Sequence, residues 1–124
     1  MKRVADMSAD MLTVGDTAVE LDDDGFLCRS DEWSEAVAEA LAVVDGVTLE
    51  SAHWLLLRLA RDYYKRYHVA PGMRILVTLL RQHQSAADST AQRIDSRLLY
   101  RLFPQSPARQ VCRYAGLPKP VSCI

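Results

Sequence analysis

Two thiols stand close to the C-terminus, Cys112 and Cys123, eleven positions apart in the stretch "VCRYAGLPKPVSCI". A thiolate on an exposed segment can attack a persulfide or disulfide held by another protein, and a second thiol within reach can displace the cargo and close a disulfide. Such a pairing requires the two Cα atoms to come within about 7 Å. The eight residues Leu117–Ile124 reach roughly 25 Å when extended at ~3.3 Å per residue, enough to project from a body or to curl back onto it. Pro118 and Pro120 bias this arm toward polyproline geometry, which has no internal hydrogen bonds to hold it down. Gly116 supplies a hinge. Lys119 and Arg113 favour the thiolate of Cys123 and the C-terminal carboxylate opposes it, so exposure is the expected source of its reactivity. Spacing alone leaves other readings open: Cys123 as a tail residue without a role, Cys112 equally as a core residue of a helix. Cys28 is read as packing.

The chain that must carry these thiols has 124 residues, 49% of them hydrophobic and 25% charged, which suits one domain with a single core. No apolar run approaches the roughly 20 residues of a membrane span. The opening "MKRVADMSADM" is basic at its start but lacks an apolar stretch, so a secretory signal is not expected and the cytoplasm is the expected compartment. Three cysteines are too few for a disulfide scaffold. The net charge of −1 hides a polarity: residues 1–50 carry 13 acids against 3 bases, residues 51–124 only 3 acids against 12 bases. Either the halves fold together and partly neutralise, or the second presents a cationic face to an acidic protein or RNA, and both can hold.

The expected fold class is mainly α: a compact bundle of about five helices, a small N-terminal β-hairpin, and a flexible C-terminal arm. Residues 1–12 read as a flexible tail, 13–116 as one helical domain, and 117–124 as the arm. In "TVGDTAVELDDDGFL" a β-branched stretch and an apolar-alternating one are separated by the Gly15–Asp16 turn, with a second turn at Asp24–Gly25. Ser30 is the expected cap of a first helix with the stripe Trp33, Val37, Leu41 and Val44, stopped by Gly46. Thr48 is the expected cap of the second, through "AHWLLLRLARDYYKRY", whose wide apolar face predicts the central, most buried helix. "HVAPG" breaks it before "MRILVTLLRQH", and "SRLLYRLF" follows. The last helix is the best punctuated, with Ser106 as cap, Pro107 at the first position and Gly116 just past the end.

The residues "AGLPKP" before a penultimate cysteine resemble the DsrC/TusE family of sulfur-relay proteins. "LYRLFPQSPARQVCRYAGLPKPVSCI", "LESAHWLLLRLARDYYKRYHVAPGMRILV" and "DDDGFLCRSDEWSEAVA" extend the resemblance over residues 13–124. It implies a sulfur carrier whose Cys123 holds a persulfide received from a TusBCD-, DsrEFH- or TusA-like donor. TusE-type members have only the terminal cysteine and pass sulfur toward 2-thiolation of tRNA wobble uridine. DsrC-type members also have the upstream cysteine, matching Cys112, and serve siroheme sulfite reductase by bridging the two sulfurs. With both cysteines, the chain resembles the DsrC branch, with Cys112 as resolving thiol. It departs from the pattern at "SAADSTAQRIDS", where the family carries a Gly-Asn-Ser run, and at Ser106, where it carries glycine.

On this reading the chain is a carrier or co-substrate turned over by its partners, needing no cofactor of its own. Arg97, Arg101, Arg109, Arg113 and Lys119 would dock an acidic partner. A reading of another class takes "RDYYKRYHVAPGMRILVTLLRQH" as a helix-turn-helix regulator, with Arg74 and Arg81 entering a DNA groove, although the apolar "ILVTLL" argues for burial. His53, His68 and His83 lack metal-ligand spacing. His53 reads as a packing or capping residue. The run Asp22–Asp24 reads as a solvated turn, and Tyr63, Tyr64 and Tyr67 as half-buried core.

Overall fold

The computed structural model describes residues 10–87 and 94–120. Strands β1 (Asp10–Val14) and β2 (Thr17–Leu21) pair antiparallel, with Leu12 opposite Val19. The turn between them has Gly15 at φ 60, a conformation that suits glycine in a two-residue hairpin. The ladder starts at Asp10, ahead of the expected boundary, because Met11 and Leu12 continue the pairing with Glu20 and Val19. Val19 and Leu21 alternate inward with Leu12, and β1 lies against the first helix.

Five helices follow: α1 (Glu35–Val44), α2 (Ser51–Tyr67), α3 (Met73–Ala87), α4 (Ser96–Leu102) and α5 (Pro107–Tyr114). The expected caps of the first two are displaced. Ser30 opens only a 3-10 turn, and α1 is capped by Ser34, whose hydroxyl accepts from the Val37 N–H. The cap of α2 is Glu50 rather than Thr48. There His53 Nδ1 accepts from the Glu50 N–H at 3.0 Å while Nε2 lies 2.9 Å from the Leu102 carbonyl. One neutral imidazole, protonated at Nε2, therefore caps α2 and ties it to the end of α4. Asp95 caps α4 by accepting from the Arg97 N–H.

The innermost helix is α5, not α2. Arg58, Arg61, Asp62, Lys65 and Arg66 interrupt the apolar face of α2, which buries only His53, Leu56, Leu57 and Ala60. Six of the eight α5 residues are buried: Pro107, Ala108, Gln110, Val111, Cys112 and Tyr114. All four other helices contact it. Ser106 holds the cap position without a side-chain bond. The Gln110 side-chain oxygen instead accepts from the Gln105 and Ser106 N–H groups, at 3.0 and 2.8 Å, satisfying donors ahead of the helix. In α3, Met73, Leu76 and Leu80 face the core.

Candidate functional site at the end of helix α5

The last turn of α5 carries Cys112 and launches the C-terminal arm. The Gly116 N–H donates to the Arg113 carbonyl and the Leu117 N–H to the Cys112 carbonyl, at 3.3 and 2.9 Å. With Gly116 at φ 75, this is a Schellman stop. Leu117 is itself buried, and the chain becomes exposed at Pro118.

Two side chains from distant elements clasp the remaining carbonyls of this turn. The Trp33 indole N–H donates to the Tyr114 carbonyl at 2.7 Å, and Arg61 Nη1 donates to the Ala115 carbonyl at 2.8 Å. The Arg61 guanidinium also lies 3.9 Å from the Trp33 ring centre, a cation–π contact at the negative end of a helix. The expected hinge, Gly116, is in this structure a packed stop: a Cβ there would lie 2.6 Å from Trp33 Cδ1.

Cys112 is fully buried, and its thiol donates to the Pro71 carbonyl at 3.5 Å. Burial pushes its pKa from 9.0 up to about 12, so at neutral pH it is a closed, protonated thiol. The unfolded chain releases this proton near 9.0 and the folded chain near 12, so the stability it contributes is complete below pH 9 and is lost as pH rises toward 12. Tyr114 is shifted upward too, first by burial and then by its bond to Asp45. Urea midpoints measured from pH 8 to 11 are expected to fall steadily above pH 9, and less steeply in Cys112→Ala.

Cys28 is exposed rather than packed, directly after the Leu21–Leu27 bridge. Its thiol is held above the ordinary range, first by partial desolvation and then by Glu20, Asp22 and Glu32. Cys123 lies outside the described residues, so its position relative to Cys112 is not part of this geometry.

The five cations expected to dock a partner divide. Arg97 and Arg101 are exposed on α4. Arg113 is engaged: it pairs with Asp45 at 2.6 Å and donates to the Gly25 carbonyl at 2.9 Å. Arg109 and Lys119 both pair with Asp24, whose carboxyl is held below the usual range by the Lys119 hydrogen bond first. The aspartate run is thus a clamp as well as a turn: Asp22 accepts from the Asp24 and Phe26 N–H groups, and Asp24 receives the arm. Each of these three pairs joins an acid of the first half to a base of the second. A shallow groove of about 350 Å³ beside Leu117 is lined by Arg61, Lys65 and His68 among others.

Sequence reasoning missed Trp33 and Arg61 as a clasp and Asp45 as the partner of Arg113. The available signal was the charge polarity between the halves. Arg74 and Arg81 of the helix-turn-helix reading are exposed on α3, with Arg81 donating to the Ile94 carbonyl. Among the described residues no His, Cys, Asp and Glu cluster could hold a metal ion, and no helix is long and apolar enough to cross a membrane.

A small helical domain whose last, innermost helix carries a closed thiol, followed in the sequence by a second cysteine, has the layout of a thiol-handling protein. The chain belongs to the DsrC-like protein family, whose model matches residues 13–124. It is 40% identical over 114 residues to the sulfurtransferase TusE of Yersinia pestis, covering 92% of this chain and all of that protein. The solution structure of Allochromatium vinosum DsrC superposes with a TM-score of 0.79 at 34% identity, over 94% of this chain and 100% of that one. The oxidized gamma-subunit of dissimilatory sulfite reductase (DsrC) from Archaeoglobus fulgidus superposes with a TM-score of 0.75 at 39% identity, over 93% and 100%.

Proposed function

We propose that this protein is a cytoplasmic sulfur carrier in which Cys123 accepts a persulfide from a sulfurtransferase and hands it to a second enzyme. The observation that carries the choice between branches is the closure of Cys112: buried, protonated and bonded to Pro71. A resting molecule of this kind offers one arm thiol, which supports a TusE-type relay of sulfur toward tRNA thiolation. The 40% identity to a sulfurtransferase TusE over nearly the whole chain supports the same reading. Transfer is a thiol exchange: the acceptor thiolate attacks the outer sulfur of the Cys123 persulfide, the S–S bond breaks, and Cys123 leaves as thiolate. The exposed cations Arg97 and Arg101 supply docking charge for an acidic partner.

A second reading rests on Cys112 itself, a thiol at the position that the DsrC branch uses. In that reading siroheme sulfite reductase is the partner, and the two cysteines of this chain bridge. Sulfur-labelled protein incubated with a tRNA-thiolating enzyme or with siroheme sulfite reductase separates the two. The relay predicts that Cys112→Ser transfers label to the tRNA-thiolating enzyme at the wild-type rate. A loss of tenfold or more in that variant, with label passing only to the reductase, would contradict the relay.

A further inference from the structure

Helix α1 is apolar on two sides. Its core face, Val37, Ala38, Leu41 and Ala42, is buried. Ala36, Ala40, Val43 and Val44 recur at helical spacing on another face, with the exposed Glu39 among them. Val43 and Val44, at 73% and 66%, are the most exposed large apolar side chains among the described residues. A helix that is apolar nearly all round belongs in an interior, so this second face requires a cover. The α2–α3 hairpin has the converse shape. Between its helices runs a groove of about 500 Å³ with Leu59, Tyr63, Ile75 and Leu79, all half-buried, as its apolar lining and the exposed Arg66 and Arg74 beside them. Leu59, Tyr63 and Arg66 stand at i, i+4 and i+7 on α2, and Ile75 and Leu79 one turn apart on α3. Two such stripes make a seat for a third helix.

We propose that α1 of one copy docks in the α2–α3 groove of a second copy, so that the protein associates with itself head to tail. Charge selects this occupant. Glu39, Arg66 and Arg74 form no ion pair among the described residues, and docking sets Glu39 of one copy against the two arginines of the next. The whole chain repeats the pattern, because the contact brings the acidic first half of one copy to the basic second half of its neighbour. The small side chains Ala36 and Ala40 let α1 approach closely, and Val43 and Val44 supply the apolar contact. A nucleic acid suits the groove less well, since its lining is aliphatic and Asp62 stands in its wall. The two faces differ, so the contact is heterologous: it either closes as a pair that makes it twice or continues from copy to copy. One helix in one groove is a small interface, which corresponds to a weak dissociation constant of about 100 µM. Neither face includes a residue of α5 or of the arm as far as Pro120, so the association stands apart from the carrier reading.

Sedimentation equilibrium of the full chain, under reducing conditions and from about 10 µM to about 1 mM, is the test. The weight-average mass of wild type is expected to climb above the one-chain value of 13.9 kDa across that range. Val43→Ser with Val44→Ser removes the helix face, and Arg66→Glu with Arg74→Glu reverses the groove's charge. All four positions are exposed, and far-ultraviolet spectra matching wild type check that both variants fold. Each variant alone is expected to associate at least about tenfold more weakly than wild type. Mixed together, the two restore one intact contact: α1 of the arginine variant meets the groove of the valine variant, and a complex of two chains forms with about the wild-type affinity. Wild type that stays at one-chain mass throughout overturns the proposal and leaves these faces to a different occupant, another protein or RNA. Association that survives in both variants, or a mixture that stays at one-chain mass, overturns it too by placing the contact elsewhere.

Discussion

Gly116→Ala is expected to destabilise the protein by about 2–4 kcal/mol, lowering the melting temperature by roughly 10 °C. Two costs combine. Gly116 sits at φ 75, where any side chain is strained. The added methyl would also lie 2.6–2.9 Å from three Trp33 atoms, Cδ1, Cγ and Cβ. Trp33 is held on one side by its bond to Tyr114 and on the other by Arg61, so it yields poorly. A Trp33→Leu background, which shrinks the opposing group, should recover part of the loss. A double-mutant cycle read by urea unfolding checks this: a coupling of at least about 1 kcal/mol is expected, and strict additivity would show that the contact is not what makes glycine necessary.

The second large effect is expected at Asp45. Its carboxylate closes the end of α1 and accepts from Arg113 Nη1 and from the Tyr114 hydroxyl, both at 2.6 Å. The Arg113 and Asp45 side chains are only 14% and 17% exposed, so the pair is largely shielded from water and removing one member strands the other. Asp45→Ala leaves a guanidinium and a phenol without their acceptor and should cost about 2–4 kcal/mol, with Asp45→Asn losing about half as much because it keeps an oxygen. Arg113→Met, which removes the charge with the partner intact, should cost less than Asp45→Ala if Tyr114 shares the loss. Equal costs in the two variants would show that the phenol contributes nothing. The exposed pair between Lys119 and Asp24 is a different case: both side chains are half exposed, and screening leaves such a pair little weight in stability.

Local chemistry made much of this fold legible. Gly15–Asp16 marked the hairpin because a two-residue turn demands a residue tolerant of positive φ. The helical pattern from Ser106 through Pro107 to Gly116 marked α5 by the asymmetry of helix ends. The caps of α1 and α2 were misplaced because several small polar and acidic residues precede each helix, and only the packed geometry selects Ser34 and Glu50 among them. Depth was not legible at all. The long apolar helix α2 carries a charged face outward, whereas the short α5 is packed against all four other helices. The same holds for the site. Cys112 could be placed on a helix from its neighbours, but its closure depends on Pro71, 41 positions away. Cys28 reads as packing from its place just after the hairpin, yet it is exposed. Trp33 fitted an amphipathic stripe so well that its role at the end of α5 was hidden.

The central claim is that sulfur travels on Cys123, with Cys112 held in reserve beneath the surface. Intact-mass analysis after incubation with a persulfide donor tests it most directly, on wild type, Cys112→Ser and Cys123→Ser. Wild type and Cys112→Ser are expected to gain the mass of one sulfur atom, reversible by reductant, and Cys123→Ser to gain none. Sulfur carried equally well by Cys123→Ser would contradict the account.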